Sequence, residues 1–151
     1  MAGRVYGPSM IVDVEVTIEA PIGRVFDLMA DTRNEPQWNS RASSAALVSD
    51  EPVRQGSEFT TVNRGRTFRA VLTEYDRPRH LGFDVTGDVM TIHGSLDFAE
   101  QGESTRMTGT FDFTGHGPMK VMLPVMAPLI RRDFPRQMRS FKTFCEADAG
   151  G

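Results

Sequence analysis

The chain has 151 residues, of which 39% are hydrophobic and 25% are charged, and its formal net charge at pH 7 is -3. This length and composition fit one globular domain that is large enough to build its own hydrophobic core. The slightly acidic balance argues against a nucleic-acid-binding protein, because such proteins normally carry a basic surface. The sequence has no apolar run long enough to span a bilayer, so we expect no membrane span.

The N-terminal part of the sequence predicts a strand followed by a helix. Residues 1–10 show no periodicity and are expected to form a flexible leader before a single domain over 11–147, with a flexible tail at 148–151. Residues 11–19 alternate between apolar and polar side chains, as in a strand with one face in solvent. Apolar residues spaced at i, i+3, i+4 and i+7 then predict an amphipathic helix over 21–30.

The middle of the chain predicts a series of short antiparallel strands. Residues 31–40, which hold the single tryptophan Trp38, fit a turn or a second short helix. After them, turn signals such as Arg64-Gly65-Arg66 separate segments in which apolar and polar side chains alternate. The spacing indicates a meander of about six or seven strands. The alternating segments are 45–49, 57–63, 67–75, 80–86, 90–98 and 107–113.

The C-terminal part predicts one long helix with an apolar stripe. Pro124 and Pro128 are expected to delay or split its start, and Pro135 is expected to kink it, because proline lacks the backbone N–H. Strands followed by a helix indicate an α+β fold in which the sheet buries its apolar face against that helix. A twisted sheet that curls around one helix leaves a gap for side chains or a ligand. The stripe consists of Leu123, Ala127, Ile130, Phe134, Met138, Phe141 and Cys145.

Three stretches of the sequence carry a resemblance to a known superfamily. They are Val14-x-Val16-x-Ile18-x-Ala20-Pro21-x-x-x-Val25-Phe26 with Pro36-x-Trp38, then Thr73-Glu74-Tyr75-Asp76-x-Pro78, and finally Arg139-Ser140-Phe141-Lys142-x-Phe144-x-Glu146. These stretches resemble the START-like, or polyketide cyclase, superfamily (SRPBCC), which includes the Bet v 1 allergens. The resemblance covers residues 12–146. It implies a helix-grip fold, in which a curved antiparallel sheet wraps around a long, usually uninterrupted C-terminal helix and encloses an apolar cavity.

The resemblance and the apolar faces together predict a protein that binds a small hydrophobic molecule, such as a lipid, a polyketide or an aromatic metabolite. The site is expected between the sheet and the C-terminal helix, where methionines would form a pliable lining. The competing interpretation is that the same side chains simply fill a core. The candidate ligand-binding residues are Trp38, Phe59, Phe68, Phe83, Ile92, Leu96, Phe111, Phe113, Met126, Ile130, Phe134 and Met138.

Glu74 is the one ionisable residue that the alternation places on the inward face, because it shares the parity of Ala70 and Leu72. A carboxyl group in an apolar cavity can act as a general acid or base. Glu74 is therefore the catalytic candidate if the protein is a polyketide cyclase, aromatase or dehydratase. The alternative is a glutamate at a strand end that pairs with a nearby arginine.

Neither a metal site nor a cofactor is predicted. The three histidines lack the spacing of metal ligands. The lone Cys145 excludes an intramolecular disulfide and a cysteine-based metal site, and it favours a reducing compartment, for which we expect the cytoplasm. Arginines that cluster within 64–69 and 131–139 are typical of a solvated face. The expected partner is the small hydrophobic ligand, with the chain as a monomer or a homodimer.

Overall fold

The computed structural model describes residues 9–147, so residues 1–8 of the leader predicted at 1–10, and the tail predicted at 148–151, lie outside the described residues. Within this range the chain forms seven strands and three α-helices, with one 3-10 turn at Thr32–Asn34. The elements are β1 (Ser9–Ile18), α1 (Ile22–Ala30), α2 (Glu35–Trp38), β2 (Ala42–Leu47), β3 (Glu58–Asn63), β4 (Arg66–Asp76), β5 (His80–Thr86), β6 (Met90–Gln101), β7 (Ser104–Gly115) and α3 (Met119–Ala147).

All seven strands form one antiparallel sheet in the order β1-β7-β6-β5-β4-β3-β2. Strands β2 to β7 each pair with their neighbours in sequence, whereas β1 pairs with β7 from end to end. Arg64 and Gly65 both have positive φ and close the two-residue hairpin between β3 and β4, a geometry that matches the twist of the strands. The predicted meander of six or seven antiparallel strands is confirmed.

The long helix α3 packs along β1 and β7. Its C-terminal half buries Met138, Phe141 and Cys145 in the core, where Phe141 and Cys145 are fully buried. Because α3 is closest to β1 and β7, space is left between the helix and the inner faces of the strands on the other side of the sheet. The predicted α+β helix-grip fold, a curved antiparallel sheet around one long C-terminal helix, is confirmed.

Two predicted boundaries are wrong. Helix α3 runs without a break from Met119, so Pro124 and Pro128 neither delay nor split it. Both of them, like Pro135, lie on the exposed side of the helix, where water can bind the carbonyl groups that have lost an N–H partner. The kink at Pro135 stays a prediction. Met10, expected in the leader, belongs to β1 with Ser9, because its side chain is buried and completes the strand's alternation.

Candidate functional site

A cavity of about 540 Å³ lies between the sheet and α3. Inward-facing side chains of β4 to β7 form one wall and the helix forms the other. The volume falls within the range of small-molecule sites. Ten of the twelve predicted ligand-binding residues line the cavity, namely Trp38, Phe68, Phe83, Ile92, Phe111, Phe113, Met126, Ile130, Phe134 and Met138.

The other two predicted residues, Phe59 and Leu96, are part of the solid core and do not line the cavity. Leu96 lies two positions from Phe98, whose ring contacts that of Phe26 in α1 at a centroid distance of 5.4 Å. Helix α1 therefore covers this part of the inner face. Strand parity predicts which side chains point inward, but it cannot separate the part of the sheet covered by α1 from the part that borders the cavity.

Aromatic rings connect the sheet to the helix across one side of the cavity. Phe134 of α3 lies against two rings of β7, with centroid distances of 4.6 Å to Phe111 and 5.8 Å to Phe113. Phe83 of β5 extends this cluster and lies 5.6 Å from Phe111. Pairs of this kind contribute about 0.5–1.5 kcal/mol each beyond the burial of area. Phe83 and Phe134 nevertheless remain partly exposed, since both border the cavity.

Two glycines allow aromatic rings to lie close to the sheet. A Cβ atom on Gly94 would lie 2.4 Å from the ring of Phe83, and a Cβ atom on Gly87 would lie 2.6 Å from the ring of Phe68. These distances are far below van der Waals contact, so a side chain at either position would push the ring away from the sheet. The glycines therefore preserve the depth of the cavity.

The end of the cavity beside α2 is polar. Glu35 lines it, and its carboxylate accepts a 2.8 Å hydrogen bond from Nδ2 of Asn39. Burial raises the pKa of Glu35 above its usual value, although the hydrogen bond from Asn39 acts in the opposite direction. Glu35 therefore keeps its proton to a higher pH than a solvated glutamate does, which suits it to proton transfer with a bound molecule.

Arg41 joins three elements at this polar end. Its Nη2 donates a 2.8 Å hydrogen bond to Oδ1 of Asp133 in α3, and its backbone carbonyl accepts one from the N–H of Arg64 in the β3–β4 hairpin. The Nε atom of Arg41 is buried and has no hydrogen-bond partner within residues 9–147. A buried donor without a partner is costly, so an acceptor supplied by a bound molecule would satisfy it.

The sequence comparison with protein families agrees with this geometry. The model of the family described as "Polyketide cyclase / dehydrase and lipid transport" matches residues 9–146. The chain belongs to this family. The START-like superfamily predicted from the sequence is thereby confirmed. None of the curated proteins compared with the sequence matches it.

Several solved structures share the fold. TTHA0849 from Thermus thermophilus is 21% identical, with a TM-score of 0.71, over 93% of this chain and 100% of that one. A START superfamily protein from Mycobacterium smegmatis is 14% identical, with a TM-score of 0.70, over 92% and 96% of the two chains. The di-domain ARO/CYC BexL from the BE-7585A biosynthetic pathway is 16% identical, with a TM-score of 0.70, over 95% and 50%. At these identities the likeness shows the fold alone.

Glu74, the predicted catalytic candidate, lies outside the cavity. The pairing of β4 with β5 shifts between Leu72 and Glu74, and this bulge exchanges the two faces of the strand. The Glu74 side chain is 62% exposed, with its Oε1 2.6 Å from Nε2 of His80. The inward placement predicted for Glu74 is therefore wrong. Tyr75 turns inward instead, against Phe26, and burial raises the pKa of its phenol.

The remaining chemical candidates contact neighbouring side chains on the sheet or lie in the core. His93 contacts Asp84 on an exposed face, and His116 shares a 2.7 Å hydrogen bond with Thr91. Burial raises the pKa of Cys145 to about 12, so its thiol stays protonated at neutral pH. Within residues 9–147, no three His, Cys, Asp or Glu side chains are placed to hold a metal ion. No helix in that range combines the length and apolar character needed to cross a membrane.

Sequence reasoning missed the polar end of the cavity. Glu35 lies in a helix of one turn, where neither the periodicity of a strand nor that of a long helix predicts which way a side chain points. The arginines interpreted as a solvated face are indeed exposed, but Arg64, Arg66, Arg132 and Arg136 also line the cavity. Their positions in the sequence could have indicated this, because two of these arginines lie in the hairpin beside the inner face of the sheet and two lie in the helix that packs opposite that face.

Proposed function

We propose that the protein binds a small hydrophobic molecule, such as a lipid, a polyketide or an aromatic metabolite, in the cavity between the sheet and α3. The observation that carries this proposal is the partial exposure of aromatic and aliphatic side chains toward a space of about 540 Å³. A ligand that covers this surface gains about 25 cal/mol for each Å² of apolar area removed from water. The family description, which includes lipid transport, supports the same proposal.

Trp38 provides a direct assay of binding, because it is the only tryptophan and it lines the cavity. Native mass spectrometry of the protein purified from its own host would first show whether a ligand is retained. Titration of Trp38 fluorescence with lipids and aromatic polyketide mimics would then give affinities. If no apolar probe changes the fluorescence or stabilises the protein, the binding proposal is wrong.

A pair of variants tests whether the ligand occupies this cavity. Ile130→Phe adds volume to a residue that lines the cavity, whereas Val121→Phe adds the same kind of ring at a position on the same helix that is 73% exposed. We expect Ile130→Phe to weaken binding by about tenfold or more, because a filled cavity excludes the ligand, and Val121→Phe to leave binding unchanged. Equal effects of the two variants would place the ligand elsewhere.

The second candidate function is a polyketide cyclase, aromatase or dehydratase, and Glu35 is the observation that favours it. Glu35 borders the cavity, and burial raises the pKa of its carboxyl. In a dehydration, the carboxylate would take a proton from the carbon beside a carbonyl group and then deliver it to the departing hydroxyl, which leaves as water. Glu35 would return to its starting state, and the substrate would gain a double bond.

Glu35→Gln separates this second function from binding alone. It should reduce turnover of a reactive polyketide mimic by about 10²-fold or more, the scale of a lost general acid or base. Glu74→Gln is the matched control, since Glu74 lies outside the cavity and its replacement should leave turnover unchanged. Turnover that survives the change at Glu35, or no turnover in the wild type, would exclude the catalytic proposal while leaving the binding proposal in place.

We also propose the cytoplasm as the location of the protein, on the basis of its single, buried cysteine. The choice between a monomer and a homodimer stays a prediction. Light scattering at several protein concentrations would determine it.

A further inference from the structure

The cavity has an excess of positive charge around its polar end. Its lining includes five arginines and three acidic residues. Two of the acids are already engaged, since Asp31 accepts hydrogen bonds from Arg33 and Asp133 accepts one from Arg41. The five arginines are Arg41, Arg64, Arg66, Arg132 and Arg136, and the third acid is Glu35.

Three of these arginines have no carboxylate partner in the part of the chain that the structure describes. Arg41 pairs with Asp133, and Arg66 lies 3.4 Å from Asp88. Arg64, Arg132 and Arg136, called here the arginine cluster, form no ion pair within residues 9–147.

Contacts within the protein bring the arginine cluster to one place. The N–H of Arg64 donates a 2.9 Å hydrogen bond to the carbonyl of Arg41, and the guanidinium of Arg41 reaches Asp133. Asp133 directly follows Arg132 in α3, and Arg136 lies one turn further along the same helix. Two like charges four residues apart repel each other on a helix, and an anion bound between them would relieve that repulsion.

We propose that the arginine cluster binds the anionic head group of an amphiphilic ligand, a carboxylate or a phosphate, while the apolar part of the ligand occupies the cavity. This inference rests on the proposed binding function and specifies its ligand. Guanidinium groups bind both carboxylate and phosphate oxygens with two parallel hydrogen bonds. The cavity lining thus offers aromatic contacts to the apolar tail of the ligand and guanidinium donors to its head group. A neutral hydrocarbon would leave these donors unused.

Three probes with a similar alkyl tail test the proposal at pH 8, namely dodecanoate and dodecyl phosphate, each below its critical micelle concentration, and dodecanol below its solubility limit. We expect at least one of the two anions to bind about tenfold more tightly than dodecanol in low salt, as measured by Trp38 fluorescence and calorimetry. Because the cluster is exposed to solvent, high salt should reduce this preference to about twofold. The comparison of dodecanoate with dodecyl phosphate identifies the head group.

The double variant Arg132→Gln/Arg136→Gln should lower the affinity for the preferred anion by about five- to tenfold and leave that for dodecanol unchanged. The matched control is Arg79→Gln/Arg139→Gln, which removes the same charge from two exposed arginines that do not line the cavity. Equal binding of all three probes by the wild type would overturn this inference while preserving the proposed function. Binding of none would overturn both. An equal loss of anion binding in the control would assign the effect to net charge and reject the cluster as the site.

Discussion

Replacing Phe134 with alanine tests whether the space beside α3 is a ligand cavity or an ordinary core. Phe134 contacts the rings of Phe111 and Phe113 and borders the cavity with the rest of its surface. Loss of two aromatic pairs costs about 1–3 kcal/mol beyond the buried area that is lost, but the change enlarges an existing space and does not open a new one. Phe141, which is fully buried in the same helix, is the comparison. Phe141→Ala should cost about 3–5 kcal/mol, because it creates a new void in a packed core.

Urea unfolding followed by circular dichroism measures both changes, provided that the slopes of the transitions are equal. A ligand present at 100 times its Kd should add about 2.7 kcal/mol to the free energy of unfolding of the wild type. We expect Phe134→Ala to lose much of this increment, and Phe141→Ala to keep most of it. The reasoning is refuted if Phe134→Ala is as destabilising as Phe141→Ala without ligand, or if the ligand stabilises both variants as much as the wild type.

Two further predictions concern groups away from the cavity. His80 donates hydrogen bonds to Glu74 and to Asp97, and these bonds raise the pKa of His80, with that to Glu74 acting most strongly. Their contribution to stability is therefore full below the unfolded value of about 6.5 and is lost as the pH rises through the folded value. An NMR titration should show that Glu74→Gln lowers the pKa of His80, and an unchanged titration would contradict the hydrogen bond. Pro135→Ala should raise the free energy of unfolding by about 1–3 kcal/mol, because it restores one helical hydrogen bond at an exposed position. A lower melting temperature would show that the helix depends on the geometry imposed by proline.

The elements that depend on periodicity could be predicted from the sequence. β1 and α3 are examples, because a strand with one wet face and a helix with one buried face each impose a pattern on many consecutive residues. The aromatic part of the cavity lining followed from the same patterns, since Phe83, Phe111 and Phe134 lie at inward positions of their elements. In these elements the alternation or helical periodicity of the sequence and the tertiary packing specify the same buried face.

The errors occur where one residue interrupts the pattern. A single extra residue in β4 was enough to reverse the faces of Glu74 and Tyr75, and nothing in the composition of that segment distinguishes a bulge from a regular strand. The polar end of the cavity depends on contacts between residues far apart in the chain, such as Arg41 with Asp133. Such contacts follow only from the packing of the hairpin and α3 around the start of β2.

Glu35 offers a test that joins stability to function. In the unfolded chain its carboxyl titrates near 4.5, and in the folded protein burial raises the pKa above that value. Below the unfolded value both states are protonated, so the carboxyl group causes no difference in stability. As the pH rises, the unfolded state ionises first, and the folded protein loses stability until Glu35 also ionises in place.

Glu35→Gln removes this loss, because glutamine does not ionise and its amide oxygen can still accept the hydrogen bond from Asn39. We therefore expect the variant to be more stable than the wild type at about pH 7 and equally stable near pH 4. Urea unfolding of both proteins at each pH measures this difference. Glu74→Gln serves as the control, since it removes an exposed partner of His80 and should give no gain at pH 7. If the difference in the free energy of unfolding between the variant and the wild type stays constant from pH 4 to pH 7, ionisation of Glu35 does not lower the stability of the folded protein. A carboxyl group that lowers stability where it lies, and whose removal also weakens turnover or ligand binding, would be kept for function rather than for folding.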